Sequence, residues 1–426
     1  MNPGTIHVVG AGLAGLSAAV RLAEAGRSVV LHEAAKQAGG RCRSYFDATL
    51  GLEIDNGNHL ILSGNRSALG MVRLVGGEGA LTVASEAAFD FADRRTNERW
   101  RLRPNAGRLP WWIFAAGRRV PATSAADYLA SAKLLWAGPQ DRIGEAMTCS
   151  GPLYERLWEP VLLAALNTEV PAASARLAGT IIRETLGAGG DACRPAVATG
   201  GLSAAFVDPA LAFLRRAGAE IRFGERLRLL AIEGGSVARL VFSSGDIELG
   251  PENAVVLALP AWVAADMLPG LTVPTEHRGI VNAHFRVTPP PGQPLLLGMV
   301  GTLSEWLFAY PDRLSVTISA GDRLFDTDRE ELARTIWAEV ASVSGLSDPL
   351  PTWQIVKEKR ATFAATPEQD ALRPSASTAY PNLVLAGDWT QTGLPATIEG
   401  AIRSGENAAR VLQGGDIGVS RSVSKA

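Results

Sequence analysis

The stretch "IHVVGAGLAGLSAAVRLAEAG" (residues 6–26) constrains the fold more than any other part of this sequence. A short apolar run leads into the pattern G-x-G-x-x-G, and an Ala- and Leu-rich segment with helical periodicity follows. The next apolar run ends at Glu33. Strand, Gly-rich turn, helix and a second strand with a terminal acid form the fingerprint of dinucleotide binding. We therefore expect a Rossmann-like unit built on a parallel sheet.

Each residue type in the Gly-rich turn has a physical reason. Gly10 permits the tight turn, Gly12 lets the backbone approach a pyrophosphate, and Gly15 lets the helix pack closely on the strand. Leu13 and Ala14 stand at the start of the helix, where free N–H groups and the helix dipole favour an anion. We predict that these five residues bind the pyrophosphate of a dinucleotide cofactor.

The segment after the second strand indicates which dinucleotide this is. Glu33, with Ala34 beside it, is predicted to lie at the ribose hydroxyls. "AAKQAGGRCRS" then supplies Gly40 and Arg41, whose guanidinium can neutralise a second side of the pyrophosphate. In this arginine the segment resembles FAD enzymes of the amine-oxidase and desaturase type, which implies FAD rather than a nicotinamide cofactor. Because no second G-x-G-x-x-G lies between a strand and a helix, we expect an external electron donor, either NADPH or a reductase.

A second cofactor segment is predicted near the C-terminus, in "NLVLAGDWTQTGLPATIEGAIRSGENAARVL". It reads as a buried strand, a loop and a long amphipathic helix. Gly387 and Asp388 follow the strand, and the Asp388 carboxylate is placed for the ribityl or phosphate part of FAD. Ala396, Thr397 and Ile398 open the helix, so their N–H groups are predicted to face the pyrimidine edge of the flavin ring.

The order of the remaining patterns predicts two interleaved domains. Helical periodicity dominates the middle of the chain, whereas a β-meander follows residue 200 and returns the chain to the first domain. Leu227 lies in this meander, where a backbone contact to adenine is expected. The fold class is predicted as α/β: a Rossmann-like FAD-binding domain interleaved with a mixed α+β substrate domain. The predicted FAD-binding domain comprises residues 1–75, 200–274 and 375–415, the substrate domain 76–199 and 275–374, and a flexible tail 416–426.

Charge and cysteine content narrow the partners and the compartment. The formal net charge of −2 argues against a nucleic-acid partner, which needs a strongly basic surface. Three widely spaced cysteines without a CxxC pattern favour the reducing cytoplasm, and no secretion signal or spanning segment is expected. The segment "LPWWIFAAGRRVP" (109–121) places aromatic residues beside arginines. It predicts either core packing or peripheral contact with the inner face of the cell membrane.

The two cofactor segments and "GGRCRS" resemble the superfamily of flavin amine oxidases and phytoene desaturases, whose FAD domains are of the GR2 type. Four stretches resemble one branch within it, the squalene-associated FAD enzymes called hydroxysqualene dehydroxylases. They are "IDNGNHLIL", "LWEPVLLAALNTEVPAASA", "KRATFAATPEQDALRP" and "LAGDWTQTGLPATIEGAIRSG". The resemblance covers about residues 5–412. It departs at Asn58, where this branch usually carries Gln.

The resemblance implies an FAD-dependent reductive dehydroxylation of hydroxysqualene to squalene, within hopanoid synthesis. Reduced FAD would deliver hydride to an allylic carbon as the hydroxyl leaves. A C30 hydrocarbon needs a long apolar tunnel, which the Leu-, Trp- and Ala-rich middle of the chain can line. The alternatives are a carotenoid desaturase or isomerase of the phytoene type and, third, an amine oxidase. The amine oxidase fits less well because Trp389 has no Tyr partner for an aromatic pair over the flavin.

The polar sequence "DNGNH" (55–59) allows three interpretations of its histidine. Asp55 and Asn56 are predicted to build a turn, and Asn58 and His59 to reach the flavin. In related flavoproteins this loop passes the isoalloxazine ring, so contact of His59 with the cofactor is our first expectation. Catalysis is the second, with His59 protonating the leaving hydroxyl, since the ordinary imidazole pKa near ~6.5 permits both forms. A histidine that only serves the turn is the third.

Overall fold

A computed structural model describes residues 4–347 and 349–414. The first three residues and residue 415 of the predicted FAD-binding domain, and the whole predicted tail, lie outside the described residues. A five-stranded parallel sheet forms the centre of one half of the molecule. Its strands, from one edge to the other, are Glu220–Phe223, Val29–Glu33, Ile6–Val9, Ala254–Leu257 and Leu383–Leu385. The fold class predicted from the sequence is therefore confirmed.

Two helices from opposite ends of the chain pack together on this sheet. The helix Leu13–Glu24 follows the Gly-rich turn, and the helix Ile398–Leu412 lies against it. The Ser17 hydroxyl donates a 2.8 Å hydrogen bond to the carbonyl of Ile402. A Cβ on Gly405 would lie 2.2 Å from the carbonyl oxygen of Ala14, so only glycine allows this approach. The contact brings the two predicted cofactor segments to one place.

A mixed seven-stranded sheet forms the other half. One face packs on the helix Arg329–Ser344 through apolar residues such as Phe285 and Trp337. The opposite face carries polar side chains toward the loop that contains His59. The strands in spatial order are Trp353–Phe363, His277–Phe285, Arg313–Ile318, Trp306–Tyr310, Leu296–Val300, Phe89–Asp93 and Glu98–Leu102.

Smaller elements complete the described chain. The predicted β-meander is the antiparallel sheet Leu227–Glu233, Ser236–Phe242 and Gly245–Glu248. The other strands are Ser44–Asp47 with Leu52–Asp55, and Leu60–Leu62 with Pro195–Val197 and Thr82–Val83. The remaining α-helices are Arg66–Val75, Ala125–Ala130, Ile143–Ala146, Glu159–Leu166, Ala175–Glu184, Asp208–Arg216, Ala261–Met267 and Pro367–Ala371.

Two of the helical segments contain a wider turn just before a proline. Tyr154–Trp158 and Ser203–Val207 are π-helical, and Pro160 and Pro209 follow them. Proline has no N–H for the bond to the carbonyl four residues earlier. The preceding residue instead donates its N–H five residues back, from Glu159 to Tyr154 in the first case. Sequence periodicity predicts the helix here but not this widening.

Candidate active site

The Gly-rich turn leaves open space above the first turn of its helix. Gly10 has φ +106°, a conformation that residues with a side chain rarely adopt. A Cβ on Gly15 would lie 1.8 Å from the carbonyl oxygen of Gly10, whereas a Cβ on Gly12 would meet no protein atom within 4 Å. The N–H groups that begin a helix have no partner within it, and here they belong to Leu13 and Ala14. The turn therefore offers an open cradle for an anion.

Glu33, the acid predicted to bind the ribose hydroxyls, lies beside this cradle. The Glu33 carboxylate accepts the N–H groups of Ala11 and Ala35, each at 2.8 Å. The Glu33 carbonyl accepts the N–H of Glu225 at 2.9 Å. This bond places the start of the meander, where Leu227 lies, at the same edge of the sheet. Ala34 is exposed beside Glu33.

Arg41 and Asp388 meet although 347 positions separate them in the sequence. The Arg41 guanidinium donates to both carboxylate oxygens of Asp388 at 2.7 Å and also to the carbonyl of Ala361. Gly39, next to the exposed Gly40, donates its N–H to the Ala11 carbonyl at 2.8 Å, which holds the loop against the Gly-rich turn. Arg41, the predicted phosphate contact, and Asp388, the predicted ribityl or phosphate contact, therefore lie beside the same site.

The third side is the start of the C-terminal helix. The Thr397 hydroxyl accepts the N–H of Gly400 at 3.0 Å and caps the helix that begins at Ile398. Its first N–H groups, from Ile398 and Glu399, are left without helical partners. Ala396 directly precedes this cap, so the predicted trio lies at a positive helix end.

Trp389 does not stand free beside the site. Its indole N–H donates to the carbonyl of Leu259 at 2.9 Å, and the ring is 4% exposed. A Cβ on Gly387 would lie 2.3 Å from the indole nitrogen, so the glycine makes room for the ring. Trp389, directly after Asp388, is thus packed into the protein interior.

His59 lies near enough to Arg41 for the guanidinium charge to act on its imidazole. Burial, with a smaller contribution from the positive charge of Arg41, lowers the pKa of the imidazole to about 4. The ring is consequently neutral near pH 7. A neutral imidazole can donate or accept a hydrogen bond, but it is not a ready source of a proton in the way an imidazolium is. This electrostatic setting favours the first interpretation of His59 over the second.

Asn58 turns its amide away from Arg41 and toward the seven-stranded sheet. The amide nitrogen lies 3.2 Å from the Thr317 hydroxyl and 3.4 Å from the Asn282 side-chain oxygen. The Tyr310 hydroxyl donates to the Asn58 side-chain oxygen at 3.3 Å. Asn58, Asn282 and Tyr310 are all buried. This polar cluster anchors the loop that carries His59.

Two residues near the site gave no signal in the sequence. His277 begins a strand of the seven-stranded sheet, its ring lies edge-on to Trp262 at 5.1 Å, and its Nδ1 is 3.2 Å from the Thr275 carbonyl. The Arg373 side chain is fully buried and donates to the backbone carbonyl of Asp388. Only the register of the sheet and the path of the loop that contains Asp388 reveal them, because each looks like an ordinary surface residue in the sequence.

Comparison with known proteins identifies the family. The sequence profile of "Flavin containing amine oxidoreductase" matches residues 13–413. The hydroxysqualene dehydroxylase of Rhodopseudomonas palustris is 58% identical over 96% of this chain and 98% of its own length. The chain belongs to the flavin-containing amine oxidoreductase family, on the branch of the hydroxysqualene dehydroxylases. The hydroxysqualene dehydroxylase of Sinorhizobium fredii is 55% identical over 96% of this chain and 98% of its own length.

Membership of the family settles the cofactor class and agrees with the geometry. The cyclohexylamine oxidase of Brevibacterium oxydans is 18% identical, has a TM-score of 0.66, and matches 97% of this chain and 99% of its own. That likeness shows the α/β FAD-binding fold. The open cradle above Gly12, the free helix ends and the Arg41 cation fit a dinucleotide with two phosphates. The chain is an FAD-dependent oxidoreductase, as the sequence predicted.

Proposed function

We propose that this chain reduces hydroxysqualene to squalene with FAD as cofactor, in the squalene supply of hopanoid synthesis. The observation that carries the proposal is the 58% identity to a hydroxysqualene dehydroxylase over nearly the full length of both chains. The predicted cofactor residues also converge on one site from both ends of the sequence. An isoprenoid substrate agrees with the family branch.

The reaction removes one oxygen and adds one hydride. Reduced FAD supplies the hydride when it is bound. In the substrate, the allylic C–O bond breaks, a C–H bond forms at the carbon, and the oxygen takes up a proton and leaves as water. Because the allylic cation is stabilised by resonance, the protein mainly needs an acid for the leaving hydroxyl and the exclusion of water.

The residues of the chain divide this work. We propose that Gly10, Gly12 and Gly15, with the helix start at Leu13 and Ala14, hold the pyrophosphate. Glu33, Ala34 and Leu227 are proposed to contact the adenosine half. Arg41, beside Gly40, is proposed to neutralise phosphate charge while Asp388, after Gly387, contacts the ribityl chain. The remaining proposed flavin contacts are Ala396, Thr397, Ile398 and His59, with His59 as a neutral hydrogen-bonding group, while the Asn58 side chain, first expected to reach the flavin, anchors the loop of His59 to the sheet.

Product identity tests the proposal. FAD-loaded protein is supplied with hydroxysqualene and a chemical reductant without oxygen, and the hydrocarbon product is identified by gas chromatography with mass spectrometry. We expect squalene, and no product from phytoene in an oxidising control. Conversion of phytoene with hydroxysqualene left intact would instead favour the carotenoid desaturase alternative.

We propose two further partners, an external electron donor and a membrane surface. No helix in the described part of the chain is long and apolar enough to cross a bilayer. Among the described residues, nine large apolar side chains are exposed, and five of these nine lie within one segment, residues 109–136. They are Leu109, Trp111, Phe114, Leu129 and Trp136, with exposures of 53–81%. We call this set the apolar surface.

Basic residues lie in, or directly before, the same segment as the apolar surface. Arg108 and Lys133 are exposed, and the Arg118 guanidinium lies 4.9 Å from the centre of the Trp111 ring. Exposed aromatic residues with adjacent cations are typical of segments that lie in the interface of an anionic bilayer. The neighbouring Trp112 is 5% exposed and packs edge-on against Tyr128, so it belongs to the core. We therefore propose Trp111 and Phe114, and not Trp112, as lipid contacts.

Vesicle pelleting tests the apolar surface. We expect the double variant Trp111→Ser/Phe114→Ser to lose about 10-fold or more of its affinity for vesicles containing phosphatidylglycerol, since two large apolar side chains no longer leave water. The matched control is Leu229→Ser, which removes an exposed apolar residue from the β-meander. Equal pelleting of the double variant and the parent would refute the assignment, as would equal loss in Leu229→Ser.

A further inference from the structure

Arg373 is a charged side chain enclosed in the protein, with 0% of its side chain exposed. One nitrogen of the guanidinium lies 2.9 Å from the Asp370 carboxylate. The second terminal nitrogen of the guanidinium donates to the carbonyls of Asp388 and Thr390 and to the Thr392 hydroxyl. These three acceptors all belong to residues 388–392, which we call the Asp388 loop.

The contacts of Arg373 are directed at backbone atoms of a loop. The Asp388 loop lies between the strand Leu383–Leu385 and the C-terminal helix. Besides the contacts to Arg373, the Thr390 N–H donates to the Gly387 carbonyl at 3.0 Å and the Gln391 N–H donates to the Pro374 carbonyl at 2.8 Å. Two of its carbonyls turn inward to one planar cation. All three loop acceptors are bound by one terminal nitrogen of Arg373, while Asp370 holds the other terminal nitrogen and the planar guanidinium fixes the distance between the two. Arg373 therefore helps to fix the conformation of the loop.

The face of the Arg373 guanidinium packs on an aromatic ring. It lies 4.8 Å from the centre of the Phe363 ring, at the end of an edge strand of the seven-stranded sheet. Two residues earlier in that strand, the Ala361 carbonyl accepts a hydrogen bond from Arg41. The same strand thus contacts two arginines. Arg373 binds backbone atoms of the Asp388 loop, and Arg41 binds the Asp388 carboxylate.

We propose that Arg373 is a positioning residue for FAD, acting through the Asp388 loop. It holds the Asp388 backbone so that the carboxylate faces Arg41 and the cofactor site. The inference rests on the proposed role of Asp388 as a cofactor contact. Burying a cation in the protein is costly, and the Asp370 carboxylate and the loop acceptors offset part of that cost, while the buried Nε of Arg373 has no hydrogen-bond partner in the described residues. Asp370 in turn pairs with the half-buried Arg176 on its other side.

FAD titration of the apoprotein tests this role. We expect Arg373→Lys to raise the Kd for FAD by about 10-fold or more, because lysine keeps the charge but its single nitrogen cannot both pair with Asp370 and hold the loop acceptors in the positions set by two guanidinium nitrogens. The matched control is Arg176→Met, which removes the other cation bound to Asp370. Its Kd for FAD is expected to stay within about 3-fold of the parent, since it does not contact the loop.

A charge-neutral double variant separates positioning from stability. Asp370→Asn/Arg373→Met removes both buried charges together, and we expect the apoprotein Tm to stay nearer to that of the parent than in Arg373→Met alone. The Kd for FAD and the absorption spectrum of bound flavin should still differ from the parent. Parent-like FAD affinity in both this variant and Arg373→Lys would overturn the proposal. FAD affinity is measured without substrate, so this outcome is independent of whether hydroxysqualene is converted.

Discussion

The variant Gly12→Ala is expected to fold normally and to lose almost all FAD binding. Gly12 has an ordinary extended conformation, with φ −71° and ψ 174°, so alanine adds no backbone strain. Its Cβ would meet no protein atom within 4 Å. The methyl group would therefore project into the open cradle where the pyrophosphate is proposed to lie. We expect the Kd for FAD to rise by about 100-fold or more, with the apoprotein Tm unchanged.

Gly15→Ala provides the matched comparison in the same turn. Its Cβ would lie 1.8 Å from the carbonyl oxygen of Gly10, so the strand and the helix would have to separate. This variant should lower the apoprotein Tm as well as FAD affinity. Circular dichroism and flavin fluorescence measure the two quantities. Parent-like FAD affinity in Gly12→Ala would show that the cofactor does not approach this turn.

The second large effect is expected in His59→Ala. The loop of His59 is anchored by Asn58 in the buried polar cluster, so the variant should keep its fold and its FAD. Turnover of hydroxysqualene should fall by about 100-fold or more, because a group proposed to contact the flavin ring is lost. Flavin content by absorbance and kcat by product formation measure these two expectations. A loaded variant with parent-like kcat would return His59 to a purely structural role.

The pH dependence of kcat tests the protonation state of His59. With a pKa of about 4, its imidazole stays neutral from pH 6 to pH 8. We therefore expect that His59 causes no pH dependence of kcat in this range, so that the pH profiles of the parent and of His59→Ala have the same shape. An acid limb with a pKa near ~6.5 in the parent, absent from the variant, would indicate that the protonated form acts as the acid.

Sequence patterns predicted those parts of the candidate site whose residues lie close together in the chain. The Gly-rich turn, Glu33 and the strand-to-helix segment at Asp388 were each predicted from residues close in sequence, and their contact with one FAD stays a proposal. The contact of Arg41 with Asp388 depends on how two distant segments pack. No pattern in either segment could supply its distance or geometry.

Other features depend on which way a side chain points. Asn58 and His59 are adjacent in an irregular loop, where no periodicity assigns them to opposite sides. Trp111 and Trp112 are likewise adjacent, yet a short turn of 3₁₀-helix exposes one and buries the other. A fully buried arginine such as Arg373 is invisible in sequence, because its environment is built by Asp370, Phe363 and the Asp388 loop together.

The most direct test of the proposed reaction is a single turnover without oxygen. FAD-loaded protein is reduced by light and mixed with an excess of hydroxysqualene, and the flavin spectrum is followed while squalene is quantified. We predict that the flavin becomes oxidised and that one squalene forms for each flavin. Flavin that stays reduced, with hydroxysqualene recovered unchanged, would contradict the account.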